Sequence, residues 1–182
     1  GKAMANGYPL SALVGKREYM SRVEDIFFST TFAGELSSIA ASLATIEKLE
    51  VTGAVCRIAS CGETLIRELN ERIKNARLDD FIHFAGENWW PRVAFLKLPM
   101  KQNLMMALLR QEFTAQGLLI AAGLNLCLAH DDKSLLNITL SRAERTFESL
   151  SKALRHRNPE QFLNGPVALS DFDVRGHIGV TK

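Results

Sequence analysis

The apolar positions of the chain change period several times, and each change marks an element. Leu36, Ile39, Leu43, Ile46 and Leu49 recur at three and four residues, which is one face of a helix. Alanines at 40, 41 and 44 are small enough for another element to approach that helix closely. A second helix follows from about Thr52 to Ala76, with Val55, Ile58, Leu65, Leu69 and Ile73 on one side and Arg67-Glu68, Glu71-Arg72 and Lys74 on a solvated face. Gly62 inside it predicts a kink or break, since glycine costs a helix interior about 1 kcal/mol relative to alanine. From Phe81 the period shortens. Phe81–Ala85 and Val93–Leu98 predict strands, joined through Gly86-Glu87-Asn88-Trp89-Trp90-Pro91. Gln102–Gln116 predicts a helix with Leu104, Met105, Leu108, Leu109 and Phe113 inward and Gly117 as its C-terminal cap. Leu118–Leu128 is almost uninterruptedly apolar and predicts one long strand or two short ones bent at Gly123. The last helix carries Leu136, Leu140, Ala143, Phe147, Leu150 and Leu154, with an aspartate of the Asp131-Asp132 pair as cap and Arg155-His156-Arg157 at its negative pole. Nearer the start, Leu10–Val14 predicts a buried strand and Glu18–Val23 a brief helix. The sum is an α+β domain, with helices on one face of a short, mainly antiparallel sheet.

Length and composition narrow the class. A chain of 182 residues, 47% of them hydrophobic, can bury roughly 70% of its unfolded surface. Lys and Arg number 22 against 20 Asp and Glu, a net charge of +2, so a polyanion such as nucleic acid is not expected as partner. No run of 18 apolar residues and no basic-then-apolar opening is present, and neither a membrane-spanning helix nor a signal peptide is expected. Cys56, Cys61 and Cys127 are odd in number, without CxxC spacing, and fit reduced thiols in a cytoplasmic protein. His83, His130, His156 and His177 show no metal-ligand spacing, so no metal site is assigned.

Several residues admit both a chemical and a structural role. Arg92 can bind a substrate carboxylate through its planar guanidinium, or close an ordinary ion pair. Trp89 and Trp90 can line a substrate entrance or pack at an interface. Asn125 needs a hydrogen-bond partner, a substrate group or the neighbouring backbone. His130 can titrate beside a cleft or orient its loop.

Two stretches carry chemistry of a more specific kind. Gly1-Lys2-Ala3-Met4-Ala5-Asn6-Gly7-Tyr8-Pro9-Leu10-Ser11-Ala12 places a lysine among small residues, followed by an Asn-Gly turn and a proline. A lysine amine forms a Schiff base with an aldehyde when a crowded, desolvated setting keeps it reactive. Phe27-Phe28-Ser29-Thr30-Thr31-Phe32-Ala33-Gly34-Glu35 is a hydroxyl-rich loop that runs into a helix, a form that offers hydroxyls and backbone N–H groups to a phosphate. In this order the two resemble consecutive signatures of the class III pyridoxal-phosphate-dependent aminotransferases, in the branch that is similar to glutamate-1-semialdehyde aminomutase. Gly123-Leu124-Asn125 and Ala129-His130-Asp131-Asp132 extend the resemblance over residues 1–156. Ala33, where the family often has glycine, and Glu35, where many members have asparagine, depart from the pattern.

The resemblance implies a fold type I enzyme using pyridoxal 5'-phosphate, with Lys2 as the Schiff-base lysine and Thr31 donating to the cofactor phosphate of the neighbouring subunit, hence a homodimer. It implies a small-molecule amino donor and a carbonyl acceptor, and either transamination or aminomutation. Residues 1–35 are then the remnant of a large cofactor domain, 36–51 a connecting helix, 52–157 a small C-terminal domain, and 158–182 a tail without assigned role. Family members are roughly twice as long, so the chain is expected to be the C-terminal part of such an enzyme and inactive alone. The alternative is a non-catalytic dimerisation or docking module derived from the same family.

Overall fold

The computed structural model describes residues 1–27, 29, 31–121 and 123–167. Phe28, Thr30 and Ala122, and the tail from 168 onward with His177 in it, lie outside the described residues. The chain divides into two compact units, one of residues 1–55 and one from Cys56 onward. Among the described residues there are five α-helices and one two-stranded antiparallel sheet, the α+β class that the pattern predicts.

The first unit opens on a 3-10 turn, Lys2–Ala5. Asn6 at φ 49° and Gly7 at φ 100° then reverse the chain in left-handed conformations, and the Gly7 N–H donates to the Lys2 carbonyl at 2.8 Å. That is the turn the Asn-Gly pair predicts. The strand expected over Leu10–Val14 is not formed, and Leu13 and Val14 are 65% and 83% exposed. A strand needs a neighbour to complete its hydrogen bonds, and the first unit has no strand among its described residues. Helix α1 (Arg17–Met20) and a following 3-10 turn, Ser21–Asp25, occupy the place of the expected brief helix.

Helix α2 (Leu36–Val51) forms where its periodicity predicts, but with the opposite face inward. Ser38 and Ser42 are buried, Ala41 and Thr45 half-buried, whereas Leu36 and Leu43 are 78% and 66% exposed. The Lys2–Ala5 turn packs on this helix, and Ala5 is wholly buried. Close approach of a backbone turn selects the small side chains, which turn out to be the serines rather than Ala40 and Ala44, both exposed.

The second unit has the larger core. Helix α3 (Ala54–Asn75), all but its first two residues, supplies Leu65, Leu69 and Ile73; strands β1 (Ile82–Glu87) and β2 (Trp90–Phe95) supply Ile82 and Phe84. Helices α4 (Gln102–Ala115) and α5 (Lys133–Arg155) close it, with Phe113 set edge-on to Phe147 at 5.9 Å between ring centres. The hairpin pairs Ile82 with Phe95 through Glu87 with Trp90. Asn70 of α3 ties the sheet to the helix through both ends of its amide: its Oδ1 accepts the Phe84 N–H at 2.7 Å and its Nδ2 donates to the Phe84 carbonyl at 2.8 Å. Polar groups at a sheet edge are costly to bury unpaired, and one side chain satisfies both.

Helix ends follow local rules. Gly117, at φ 74°, terminates α4 as its position predicts; its N–H donates to Thr114 and the Leu118 N–H to Phe113, the Schellman pattern. Helix α3 ends the same way with a non-glycine residue, Arg77 at φ 58°. Asp132 caps α5 by accepting from the Ser134 and Leu135 N–H groups, while Asp131 pairs with Arg57 at 2.6 Å.

The long strand expected over Leu118–Leu128 reduces to one antiparallel bridge, Arg92 with Gly123, beside a Leu124 N–H bond to the Pro91 carbonyl at 2.8 Å. Pro91 has no N–H to extend a ladder along that edge of β2. The expected break at Gly62 is absent too, since α3 runs unbroken through it. Gly62 is where the hairpin turn meets the helix: a Cβ there would lie 1.5 Å from the Asn88 carbonyl oxygen. Gly62→Ala is therefore expected to lower the unfolding free energy of the second unit by about 1–3 kcal/mol, the cost of overpacking against a backbone that must shift. Chemical denaturation followed by tryptophan fluorescence tests it, because Trp89 and Trp90 sit on the displaced hairpin; an unchanged midpoint would refute the contact.

Candidate functional site

The two residues that the sequence singles out in the first unit come together. Lys2 and Thr31 line one cleft of about 660 Å³, with Tyr8, Ser11, Gly34 and Glu35 also on its walls. The volume lies within the range of small-molecule sites. The lysine reaches the cleft because the Asn6-Gly7 reversal folds residues 7–11 back past it, while Ala5 anchors the turn to α2. Thr31 arrives on a turn, Thr31–Gly34, that closes with the Glu35 N–H on the Phe32 carbonyl at 3.2 Å. Gly34 stands at φ 80°, a conformation that the side chain of another residue would strain.

Glu35 has a role that its departure from the family pattern does not reveal. It is the N-cap of α2, with Oε1 accepting from the Ser37 N–H at 2.9 Å and Oε2 from the Ser38 N–H at 2.7 Å. Hydrogen bonding from Ser38, and then from Ser37, holds its carboxyl at about 2. A readable signal was the Glu-Leu-Ser-Ser order just ahead of the apolar repeat, though glutamate is not among the preferred capping residues. Ser11 and Tyr8 also line the cleft without having been singled out. Among the described residues the Ser38 hydroxyl, wholly buried, has no hydrogen-bond partner.

Arg92 belongs to the second unit. Its guanidinium lies over the Trp90 ring, 4.8 Å from the centroid, a cation–π stack. None of the ion pairs among the described residues involves it. The two tryptophans are 53% and 43% exposed, so the packing role open to them in the sequence is not met by burial within the chain.

A second cavity, about 350 Å³, lies within the second unit, walled by leucines of α3, α5 and residues 118–126, with Cys61, Asn125 and His130 among its polar groups. Asn125 is exposed and needs no buried partner. His130 orients its loop: its Nδ1 accepts the Cys127 N–H at 3.0 Å. Burial, and then the charge of Asp131, push the Cys61 thiol up from its ordinary value. Among the described residues no group of three or more His, Cys, Asp or Glu is placed to hold a metal ion, and no helix is long and apolar enough to cross a membrane.

Comparison with known proteins centres on the stretch that holds the cleft. Residues 1–87 match the family model described as Aminotransferase class-III. The 3-aminobutyryl-CoA aminotransferase of Cloacimonas acidaminovorans is 38% identical over 98 residues, 53% of this chain and 23% of that protein. The glutamate-1-semialdehyde 2,1-aminomutase of Ignicoccus hospitalis is 28% identical over 167 residues, 85% of this chain and 38% of that protein. Among solved structures, the PLP internal aldimine form of the FumI protein of Sphingopyxis sp. MTA144 matches with a TM-score of 0.75 at 21% identity, covering 88% of this chain and 38% of that one. The last likeness bears on fold, and agrees with a portion of a fold type I chain. The chain spans between 23% and 38% of the length of these proteins.

The Glu35 cap has a measurable acid limb. Its carboxyl titrates at about 2 in place of 4.5, so the stabilisation is complete above the unfolded value and is lost as pH falls towards 2. In an acid titration by carbon NMR the Glu35 carboxyl is expected to keep its ionised shift well below the ordinary glutamate value of 4.5. A midpoint near the ordinary value would mean that the cap is not made.

Proposed function

We propose that the chain, whose residues 1–87 match the class III aminotransferase family, supplies the lysine-bearing part of an enzyme that moves an amino group to a carbonyl substrate. Transamination and aminomutation are both served by this chemistry, and a glutamate-1-semialdehyde aminomutase is among the relatives. The observation that carries the reading is the cleft into which the Asn6-Gly7 reversal brings Lys2.

The cofactor is pyridoxal 5'-phosphate, and the donor set of the cleft fits it. A primary amine meets an aldehyde's requirement, and the Ser11 hydroxyl suits a phosphate. When bound, the cofactor supplies an aldehyde carbon and a ring that draws electron density from the reacting carbon. Lys2 Nζ would be the attachment point, and the same nitrogen would hold and return the proton of the substrate carbon. Thr31 would reach the phosphate of the neighbouring subunit's cofactor, and Arg92, stacked on Trp90 and outside the ion pairs among the described residues, is the proposed partner of a substrate carboxylate.

The proposed assembly is a homodimer with shared sites, in which Thr31 serves the neighbouring subunit's cofactor. The outward projection of its loop supports this, with Thr31 exposed and Phe32 70% exposed. Residues 1–35 form part of the cofactor domain, 36–51 the connecting helix, and 52–157 the small domain. The isolated chain is proposed to be inactive because Lys2 is exposed, and a solvated amine is a poor nucleophile and base. A cytoplasmic setting completes the reading, supported by three unpaired cysteines at 56, 61 and 127.

Incubation of the longest available form of the protein with pyridoxal 5'-phosphate, borohydride reduction and peptide mapping tests the central assignment. Label is expected on Lys2 and not on Lys16 or Lys48, and Lys2→Ala abolishes it; label spread over surface lysines, with self-association of the cofactor-free chain, would favour the non-catalytic docking module instead. The shared site has its own test. Lys2→Ala and Thr31→Ala chains, mixed at a cofactor level that labels neither alone, are expected to recover roughly a quarter of wild-type labelling if sites span a two-fold interface. No recovery places both residues in one subunit's site.

A further inference from the structure

Away from the cleft, the second unit brings a thiol and an imidazole together. Cys127 is exposed, and its Sγ lies 3.2 Å from His130 Nδ1. A short turn, Leu128–His130, holds the pair: the Cys127 side chain accepts the His130 N–H, and the His130 ring accepts the Cys127 N–H at 3.0 Å. The Cys127 carbonyl oxygen stands 3.3 Å from the same ring nitrogen. Nδ1 therefore has a donor to accept from while it is neutral and, once protonated, the sulfur and the carbonyl oxygen to donate to. A proton can pass from thiol to ring without the turn being rebuilt. A nucleophile within hydrogen-bond reach of a base that a third group orients is the arrangement that activates a thiol. The neighbouring carboxylate is committed elsewhere, since Asp131 pairs with Arg57 at 2.6 Å. The other two cysteines serve as internal references. Cys56 is exposed as well, on α3, and no imidazole is bonded to it among the described residues. Cys61 is half-buried and donates to the His130 carbonyl at 3.4 Å, and burial pushes its thiol up.

We propose that Cys127 is a reactive thiol that forms mixed disulfides with low-molecular-weight disulfides, with His130 as its base. As Cys127 Sγ attacks one sulfur of the small disulfide, its proton passes to His130 Nδ1. The S–S bond of the reagent breaks as the new S–S bond to Cys127 forms, and the expelled thiolate takes the proton back from the imidazole. One thiol and one disulfide are consumed, and one mixed disulfide and one thiol are produced; Cys127 is oxidised and the departing half of the reagent is reduced. Exposure does not distinguish this thiol, because Cys56 has it too. The imidazole does. In a reducing compartment such an adduct is transient, the mark of a redox-sensing position rather than of a structural bridge. The adduct takes the sulfur out of the cap that seats Leu128–His130, and His130 is one wall of the second cavity.

The test incubates the full chain with glutathione disulfide, quenches samples with acid at intervals and follows each cysteine by peptide mass spectrometry. Cys127 is expected to react about tenfold or more faster than Cys56, a modest part of the ~100-fold or more that a positioned base can supply, and Cys61 is expected to be the slowest. His130→Gln removes the base but leaves a side chain able to accept the Cys127 N–H, as glutamine does in a capping box. It is expected to bring Cys127 down to the rate of Cys56, with circular dichroism verifying that the variant is folded. Equal rates at Cys127 and Cys56 in the native chain overturn the proposal without any variant. An undiminished Cys127 rate in folded His130→Gln overturns it as well, since exposure alone would then set the rate.

Discussion

The seating of Ala5 against the serine face of α2 is the contact on which the candidate site depends. The lysine turn and the helix have to approach closely enough to bury Ala5 completely, and Ser38 and Ser42 are small enough to allow it. From that contact the rest of the cleft follows. The Asn6-Gly7 reversal fixes where residues 7–11 return, and the first turn of α2 fixes where the Thr31–Gly34 turn begins. A leucine at position 38 or 42 would lift the turn off the helix and move Lys2 with it.

What could be read from the sequence was set by local chemistry. The Asn6-Gly7 turn, the Gly117 cap, the Asp132 cap and the helices 36–51, 102–115 and 133–155 depend on residues within a few positions of each other, and the pattern locates each. The errors concern what lies far away in sequence. Leu10–Val14 has the composition of a strand but no strand to pair with, and Leu118–Leu128 meets an edge of β2 where Pro91 cannot donate. Gly62 reads as a weak point in a helix, yet it is a contact point, because the Asn88 carbonyl arrives from 26 residues downstream. For α2 the period was right and the facing wrong, since period fixes which residues share a face and not which face finds a partner.

The candidate site was legible for a different reason. Lys2 and Thr31 stand out by motif, 29 residues apart, and their meeting on one cleft is a tertiary fact that periodicity alone does not contain. Glu35 was visible only as a deviation. Its function as cap becomes readable once the start of α2 is known.

The two units differ in how far each supports itself. The second buries leucines and phenylalanines from α3, α4, α5 and the hairpin in one continuous core. The first buries Ala5, Ser38, Ser42 and Ala54 among its described residues, and exposes Leu13, Val14, Ile26, Phe27, Leu36 and Leu43. A reactive lysine needs desolvation, and desolvation needs apolar cover. If Lys2 is the reactive amine proposed above, its unit has the apolar surface to be covered but does not cover itself. Exposed apolar side chains and a solvated lysine are two consequences of one deficit. Whatever protein surface buries the first would also dehydrate the second, so assembly and activation of the amine are expected to be a single event.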